Sequence, residues 1–113
     1  AAFRRVVPGC LSGGERRKSE KARLRKGVHV LVATPGRLLD HLGKTDALVA
    51  ALRKGGGPRW VVLDEADRLL DLGLGKQVED ILERLRKQTD GETPWRSVLV
   101  SATVTDGIRD MAE

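Results

Sequence analysis

Short apolar runs alternate with polar or amphipathic stretches along the whole chain. "VHVLVA" (28–33) predicts a strand and "SVLVSA" (97–102) a buried one, and in "RWVVLD" (59–64) the run Trp60–Leu63 is continuous, apolar and partly β-branched, which suits a strand buried on both faces of a sheet. "FRRVVPG" (3–9) predicts a shorter strand ending at Pro8-Gly9. Between the first two runs, "ERRKSEKARLRKG" (15–27) reads as a polar helix closed by Gly27. "TPGRLLDHLGK" (34–44) predicts a helix with Thr34 as N-cap and Pro35 at the first helical position. "DALVAALRK" (46–54) adds a turn or helix, and "GGGP" (55–58) then breaks the chain. "KQVEDILERLRK" (76–87) places Val78, Ile81, Leu82 and Leu85 on one side of a helix. "TDGETPW" (89–95) is a polar loop, and "VTDGIRDMAE" (104–113) starts a last helix. No internal repeat interrupts this order. Strands alternating with helices predict an α/β fold, a parallel sheet with right-handed crossovers.

In such a sheet, ligands gather beyond the carboxyl ends of the strands. Three polar groups follow strand ends here: Thr34-Pro35-Gly36-Arg37, Asp64-Glu65-Ala66-Asp67 and Ser101-Ala102-Thr103. The topology predicts all three along one edge. The middle group raises the sharpest chemistry, with three carboxylates within four residues. As plain structure, Asp64 is the expected N-cap of a helix over "EADRLLDLGL", with Asp67 at N3, Leu69, Leu70 and Leu72 at helical spacing, and both acids opposing the positive end of the helix dipole. As chemistry, an Asp closing a buried strand is the arrangement that holds Mg²⁺ against nucleotide phosphates, and a following Glu can orient or deprotonate the attacking water. The two readings are compatible.

Composition narrows the class. At 113 residues the chain is one domain or part of one. No apolar run approaches the roughly 20 residues needed to cross a membrane, and "AAFRRVVPG" lacks the apolar core of a signal peptide, so no membrane partner is expected. Cys10 is the single cysteine, fits a reducing compartment, and is expected as a small buried apolar residue. His29 and His41 have no Cys or His partners at zinc-ligand spacing. Trp60 is expected beneath the sheet and Trp95 over the edge of a strand. The charge is uneven: residues 4–26 carry nine basic and two acidic residues, a net of +7, whereas residues 27–113 carry a net of −2. That basic third suggests a polyanion, most simply nucleic acid; the alternative for the same stretch is a solvated helix face. With so few aromatics, contacts to RNA would be to its backbone, tolerant of sequence and strongly salt-dependent.

The joint pattern resembles the DEAD-box RNA helicases of superfamily 2. "VLDEADRLLDLG" is similar to their motif II, "TPGRLLDHL" to motif Ib, "SAT" to motif III and "GGE" to their glycine doublet, in the family's order and at its spacing. The wording of "GGERRKSEKARLRKG" and "TPGRLLDHL" further resembles a subgroup acting in nucleolar assembly of the large ribosomal subunit. The resemblance implies a three-layer RecA-like parallel sheet, here incomplete, with residues 1–113 forming part of the first RecA-like, ATP-binding domain. It implies ATP and Mg²⁺ as nucleotide and cofactor. Asp64 would hold the Mg²⁺ through water, Glu65 would position or activate the hydrolytic water, and Asp67 would bridge toward motif III. Ser101, Ala102 and Thr103 would couple the nucleotide state to domain closure. Gly13, Gly14, Thr34, Pro35, Gly36 and Arg37 would face the RNA backbone. Pre-ribosomal particles as partners, a nuclear or nucleolar location and a monomeric full-length protein complete what the resemblance implies.

These 113 residues contain no G-x-x-x-x-G-K-[ST] loop; "GGGP" lacks the Lys and the hydroxyl and precedes a strand. The family's phosphate loop, adenine-reading segment and first RNA motif are expected before Ala1, and the second RecA-like domain after Glu113. Residues 1–113 alone are therefore expected not to hydrolyse ATP, and to expose apolar strand edges and be marginally stable. Three functions stay open: an RNP-remodelling RNA helicase, a non-catalytic RNA-binding module built on the basic segment and "TPGR", and an ATPase of another phosphate-loop branch such as a DNA translocase.

Overall fold

A computed structural model describes residues 6–12, 16–54, 56–89, 95–103 and 106–112. The elements run β1 (Pro8–Leu11), α1 (Arg17–Lys26), β2 (Val30–Ala33), α2 (Pro35–Lys44), α3 (Asp46–Lys54), β3 (Trp60–Leu63), α4 (Ala66–Asp71), α5 (Gly75–Lys87), β4 (Arg96–Leu99) and α6 (Asp106–Ala112). The fold is α/β, and its strands pair in parallel as β1 with β2 and β3 with β4. The chain divides into two compact units at residues 51 and 52, and α3 runs across that boundary.

In the first unit, β1 and β2 pair in the register Pro8↔Val30 to Leu11↔Ala33. The ladder extends at both ends: His29 N–H donates to Val7 O and Thr34 N–H to Leu11 O. The first strand thus begins at Pro8 instead of ending there. A proline that cannot donate is tolerated at the first position of a strand, and Val6 and Val7 before it are exposed. Alternation along β1 turns Gly9 and Leu11 inward and Cys10 outward, so Cys10 is exposed, not buried as expected. Gly9 has no room for more: a Cβ there would meet Val28 Cγ1 at 2.6 Å. α1 ends on Gly27, whose φ of 92° suits a residue without a Cβ. Leu11, Leu24, Leu42 and Leu48 form the buried apolar set of this unit.

In the second unit, β3 and β4 pair from Trp60↔Arg96 to Leu63↔Leu99. The chain before β3 turns at Gly57, where φ is 104° and a Cβ would lie 2.6 Å from Thr89 Cγ2. α5 buries Val78, Ile81 and Leu85, with Leu82 half-buried, as its apolar stripe predicts. Ala66 and Ile108 join them in the core. Each fully buried aliphatic side chain contributes about 1.5–3 kcal/mol of transfer free energy.

The strands are not buried on both faces. β2 and β3 alternate between exposed and half-buried positions, leaving Val30, Val32, Trp60 and Val62 at least half exposed. Paired strands meet edge to edge and leave their faces to be covered by other elements, and among the described residues the faces that carry Val30 and Val32 in β2 and Trp60 and Val62 in β3 are left exposed. Trp60 in particular is 57% exposed instead of packed beneath the sheet, and its ring lies 5.6 Å from the Arg96 guanidinium. Trp95 is half-buried, with the Arg86 guanidinium 5.9 Å from its ring.

Candidate functional site

The end of β3 builds the acidic site. Val100 N–H donates to Leu63 O and Ala66 N–H donates to Val100 O, so the backbone after β4 clamps the turn that follows β3. Asp64 stands exposed at the strand tip, and its Oδ1 accepts the Glu65 N–H at 2.9 Å. The N-cap of α4 is Glu65, not Asp64, because the turn after β3 runs one residue longer before the helix starts at Ala66. Asp67 accordingly sits at N2 instead of N3, and no side chain caps the helix. Leu69 and Leu70 are half-buried, whereas Leu72 falls beyond the helix and is exposed.

Glu65 carries the strain of this turn. Its φ of 51° and ψ of 48° lie in the left-handed region, and among the described residues it is the single non-glycine with positive φ. That conformation costs about 1–2 kcal/mol for a residue with a Cβ. It leaves the Glu65 side chain exposed, with one oxygen 4.0 Å from the Arg68 guanidinium. A depression of about 440 Å³ opens here, lined by Asp64, Glu65, Asp67, Arg68, Val100, Ser101 and Ala102. Thr103 Oγ1 donates to Asp67 Oδ2 at 3.3 Å across the two strand ends. Ser101 does not reach the carboxylates; its hydroxyl donates to Thr103 O at 2.6 Å and so shapes the segment that carries Thr103. The structure thus brings together Asp64, Glu65, Asp67, Ser101, Ala102 and Thr103.

The donor set suits magnesium. Mg²⁺ dehydrates reluctantly and is commonly held by one or two carboxylates and substrate phosphates, keeping several waters. One exposed Asp at a strand tip meets that need. Among the described residues no group of three or more ligating side chains gathers, so a closed all-protein cage is not what the site offers.

Thr34, Pro35, Gly36 and Arg37 belong to the first unit and form the start of α2. Thr34 is the N-cap with Pro35 at N1, as the sequence predicts, but the Thr34 hydroxyl makes no capping bond. Thr34 and Gly36 are exposed. Arg37 is not: its side chain is 18% exposed, and its Nε donates to Glu20 Oε1 at 2.5 Å. Gly13 and Gly14 lie outside the described residues; Ser12, just before them, donates its N–H to Glu20 Oε2 at 2.8 Å.

Glu20 is the residue that motif reading missed. Its side chain is fully buried on a helix that looks polar all round, and His41, also fully buried, places Nε2 3.0 Å from the same Oε1. His41 Nδ1 lies 2.7 Å from Thr45 Oγ1. An ionised Glu20 accepts only, so His41 Nε2 carries the hydrogen of that bond. Burial raises the Glu20 carboxyl's pKa, but hydrogen bonds from His41, Arg37 and the Ser12 N–H outweigh it and hold the group below its ordinary value. The available signal was His41 itself, which stands between Leu38 and Leu42 on the apolar stripe of α2, where a polar side chain needs a buried partner. The basic residues Arg16, Lys18, Arg25 and Lys26 of the same region are exposed.

Comparison with known proteins agrees with this geometry. The family model "DEAD/DEAH box helicase" matches residues 2–111. A human protein named ATP-dependent DNA helicase DDX31 is 46% identical over 111 residues, covering 98% of this chain and 12% of the relative. The rice protein DEAD-box ATP-dependent RNA helicase 17 is 44% identical over 120 residues, covering 98% of this chain and 20% of the relative. Among solved structures, the yeast DEAD-box splicing factor Prp28 superposes with a TM-score of 0.83 at 33% identity, over 95% of this chain and 22% of that one. The DEAD-box helicase Mss116 bound to ssRNA and UDP-BeF follows, with a TM-score of 0.76 at 30% identity, over 93% of this chain and 20% of that one. The chain spans 12 to 20% of the length of these two curated relatives. With its motifs in order, its acidic strand tip facing the Ser101–Thr103 segment and its RecA-like fold, the chain belongs to the DEAD/DEAH box helicase family.

Proposed function

We propose that residues 1–113 are part of the ATP-binding domain of an ATP-dependent RNA helicase that remodels RNA–protein particles. The observation that carries this reading is the Asp64–Glu65 turn, in which a strained backbone holds two exposed carboxylates over a depression at the end of a parallel strand. ATP is the proposed substrate and Mg²⁺ the proposed cofactor, the cation supplying charge neutralisation on the phosphates. Asp64 would hold the metal's water shell. Glu65 would accept a hydrogen bond from the attacking water, aligning it and taking up its proton. Asp67 and Thr103, joined across the strand ends, would report the state of that site to the segment after β4.

RNA is the proposed partner, seated on exposed Thr34 and Gly36, where backbone N–H groups at a helix start suit phosphate. The basic residues of α1 would add salt-dependent attraction. The solved Mss116 complex with ssRNA supports an RNA role for this family's fold. The human and slime-mould relatives are named DNA helicases, so the nucleic acid is a point to test. From the α1 and α2 wording we propose pre-ribosomal RNA–protein particles as the setting, a nucleolar location and a monomeric full-length protein. The apolar exposed faces of β2 and β3 fit a further layer that a larger domain would pack on them.

The test is ATP hydrolysis by the complete gene product with and without RNA or DNA oligonucleotides. Turnover stimulated by RNA supports the reading. RNA binding without any magnesium-dependent turnover would favour a non-catalytic RNA-binding module.

A further inference from the structure

Arg37 sits in the segment proposed to face RNA, yet its side chain is mostly buried and its Nε is spent on Glu20. The same carboxylate takes the Ser12 N–H on its other oxygen, and His41 on the first. One buried acid on α1 therefore ties the end of β1 leading to the glycine doublet to two successive turns of α2, the first through Arg37 and the second through His41, which also meets Thr45. We propose that Glu20 and Arg37 are positioning residues for RNA, fixing the start of α2 and the chain at Ser12 in one register, and that Arg37 does not itself hold a phosphate.

A buried carboxylate must be matched by donors, and here all the donors come from segments outside α1. The Arg37 fork has a fixed plane, so holding its Nε fixes the direction of the α2 start more tightly than a lysine ammonium would. Thr34 and Gly36 lie within three residues of Arg37, and their exposed backbone inherits that placement. A hydrogen-bonded shell of this kind keeps binding groups within a fraction of an ångström of their working positions.

This inference rests on the proposed RNA role of the Thr34–Gly36 segment, and the experiment separates the two. Binding of a single-stranded RNA oligonucleotide to the complete gene product would be followed by fluorescence anisotropy with a non-hydrolysable ATP analogue, across a salt series, for Glu20→Gln, Arg37→Gln and Thr34→Glu. A positioning role predicts that E20Q and R37Q both raise Kd about tenfold, the scale of a broken charge-assisted hydrogen bond, while the slope of log affinity against log salt stays as in the parent. If the Arg37 guanidinium does neutralise a phosphate, R37Q will instead lower that slope by about 0.7, and this would overturn the proposal. So would an E20Q protein that binds RNA within about twofold of the parent while folded. If E20Q does not fold, the R37Q slope decides alone. If T34E leaves RNA affinity unchanged, the RNA reading fails, and the inference with it.

Discussion

Thr103 donates its hydroxyl to the Asp67 carboxylate across a gap of 36 residues, joining the segment after β4 to the first turn of the helix after β3. The bond is exposed and 3.3 Å long, so it adds little to stability, about 0.5 kcal/mol. Its proposed role is to link the proposed nucleotide site to the segment after β4. Thr103→Val is therefore expected to leave the melting temperature within about 2 °C of the parent while reducing strand separation per ATP consumed. Parallel assays of ATP turnover and duplex unwinding on the complete gene product check this; equal losses in both would argue against a coupling role.

Glu65 occupies a backbone conformation that glycine would adopt without strain. Glu65→Gly should relieve about 1 kcal/mol and raise thermal stability, yet abolish turnover, since a stable turn and a functional turn ask for different residues here. Thermal denaturation and ATPase assays on the same preparation check both halves. A variant less stable than the parent would show that Glu65 holds the turn by its side chain instead.

Glu20 should make stability pH-dependent in one direction. Its folded-state pKa lies below the ordinary value of 4.5, so near and below that pH the unfolded chain binds more protons than the folded one. The stability from its network is thus fully present above pH 4.5 and is lost as pH falls through the lower, folded-state value. Urea denaturation at a series of pH values should show a steeper acid limb for the parent than for E20Q. Identical limbs would mean that Glu20 is not held as an anion.

The two faces of the strands should respond differently to truncation. Leu11→Ala removes a fully buried side chain and is expected to cost about 3 kcal/mol. Val62→Ala lies on the open face of β3 and should cost under about 0.5 kcal/mol in a 113-residue chain. In the complete gene product, where a further layer is proposed to pack on that face, the same change should approach about 2 kcal/mol. Denaturant titration of both lengths checks it. An equally small cost in the longer protein would leave the face open there too, against the placement of these residues in a larger domain.

Residues 1–113 alone are expected to show no magnesium-dependent ATP turnover, because Asp64 has no phosphate-clamping loop beside it in this sequence. Measurable hydrolysis by the purified 113-residue chain would contradict that.

The order of strands and helices was legible because period and punctuation agree: β-branched runs, a Thr-Pro helix start, and glycines closing or breaking helices at Gly27 and residues 55–57. The details that departed depend on information a one-dimensional pattern lacks. Pro8 became the start of β1 because the register with Val30 allows it. Cys10 and Trp60 turned outward because strand alternation and an open sheet face, not residue type, decide their burial. Asp64 lost the N-cap to Glu65 because the turn takes one residue more than the helix signal suggests. The acidic cluster could be read since its carboxylates are neighbours in sequence. The Glu20 network could not, since its members are 8 to 21 residues from Glu20 in the chain and meet only through the fold.

The central claim is that the Asp64–Glu65 turn serves a metal-bound nucleotide and that Glu65 acts on the attacking water. Single-turnover ATP hydrolysis by the complete gene product, RNA-bound and saturated with Mg²⁺, tests it most directly when Glu65 is replaced by Gln. Phosphate release is expected to slow at least about a hundredfold with nucleotide affinity retained. Release at the parent rate would contradict it.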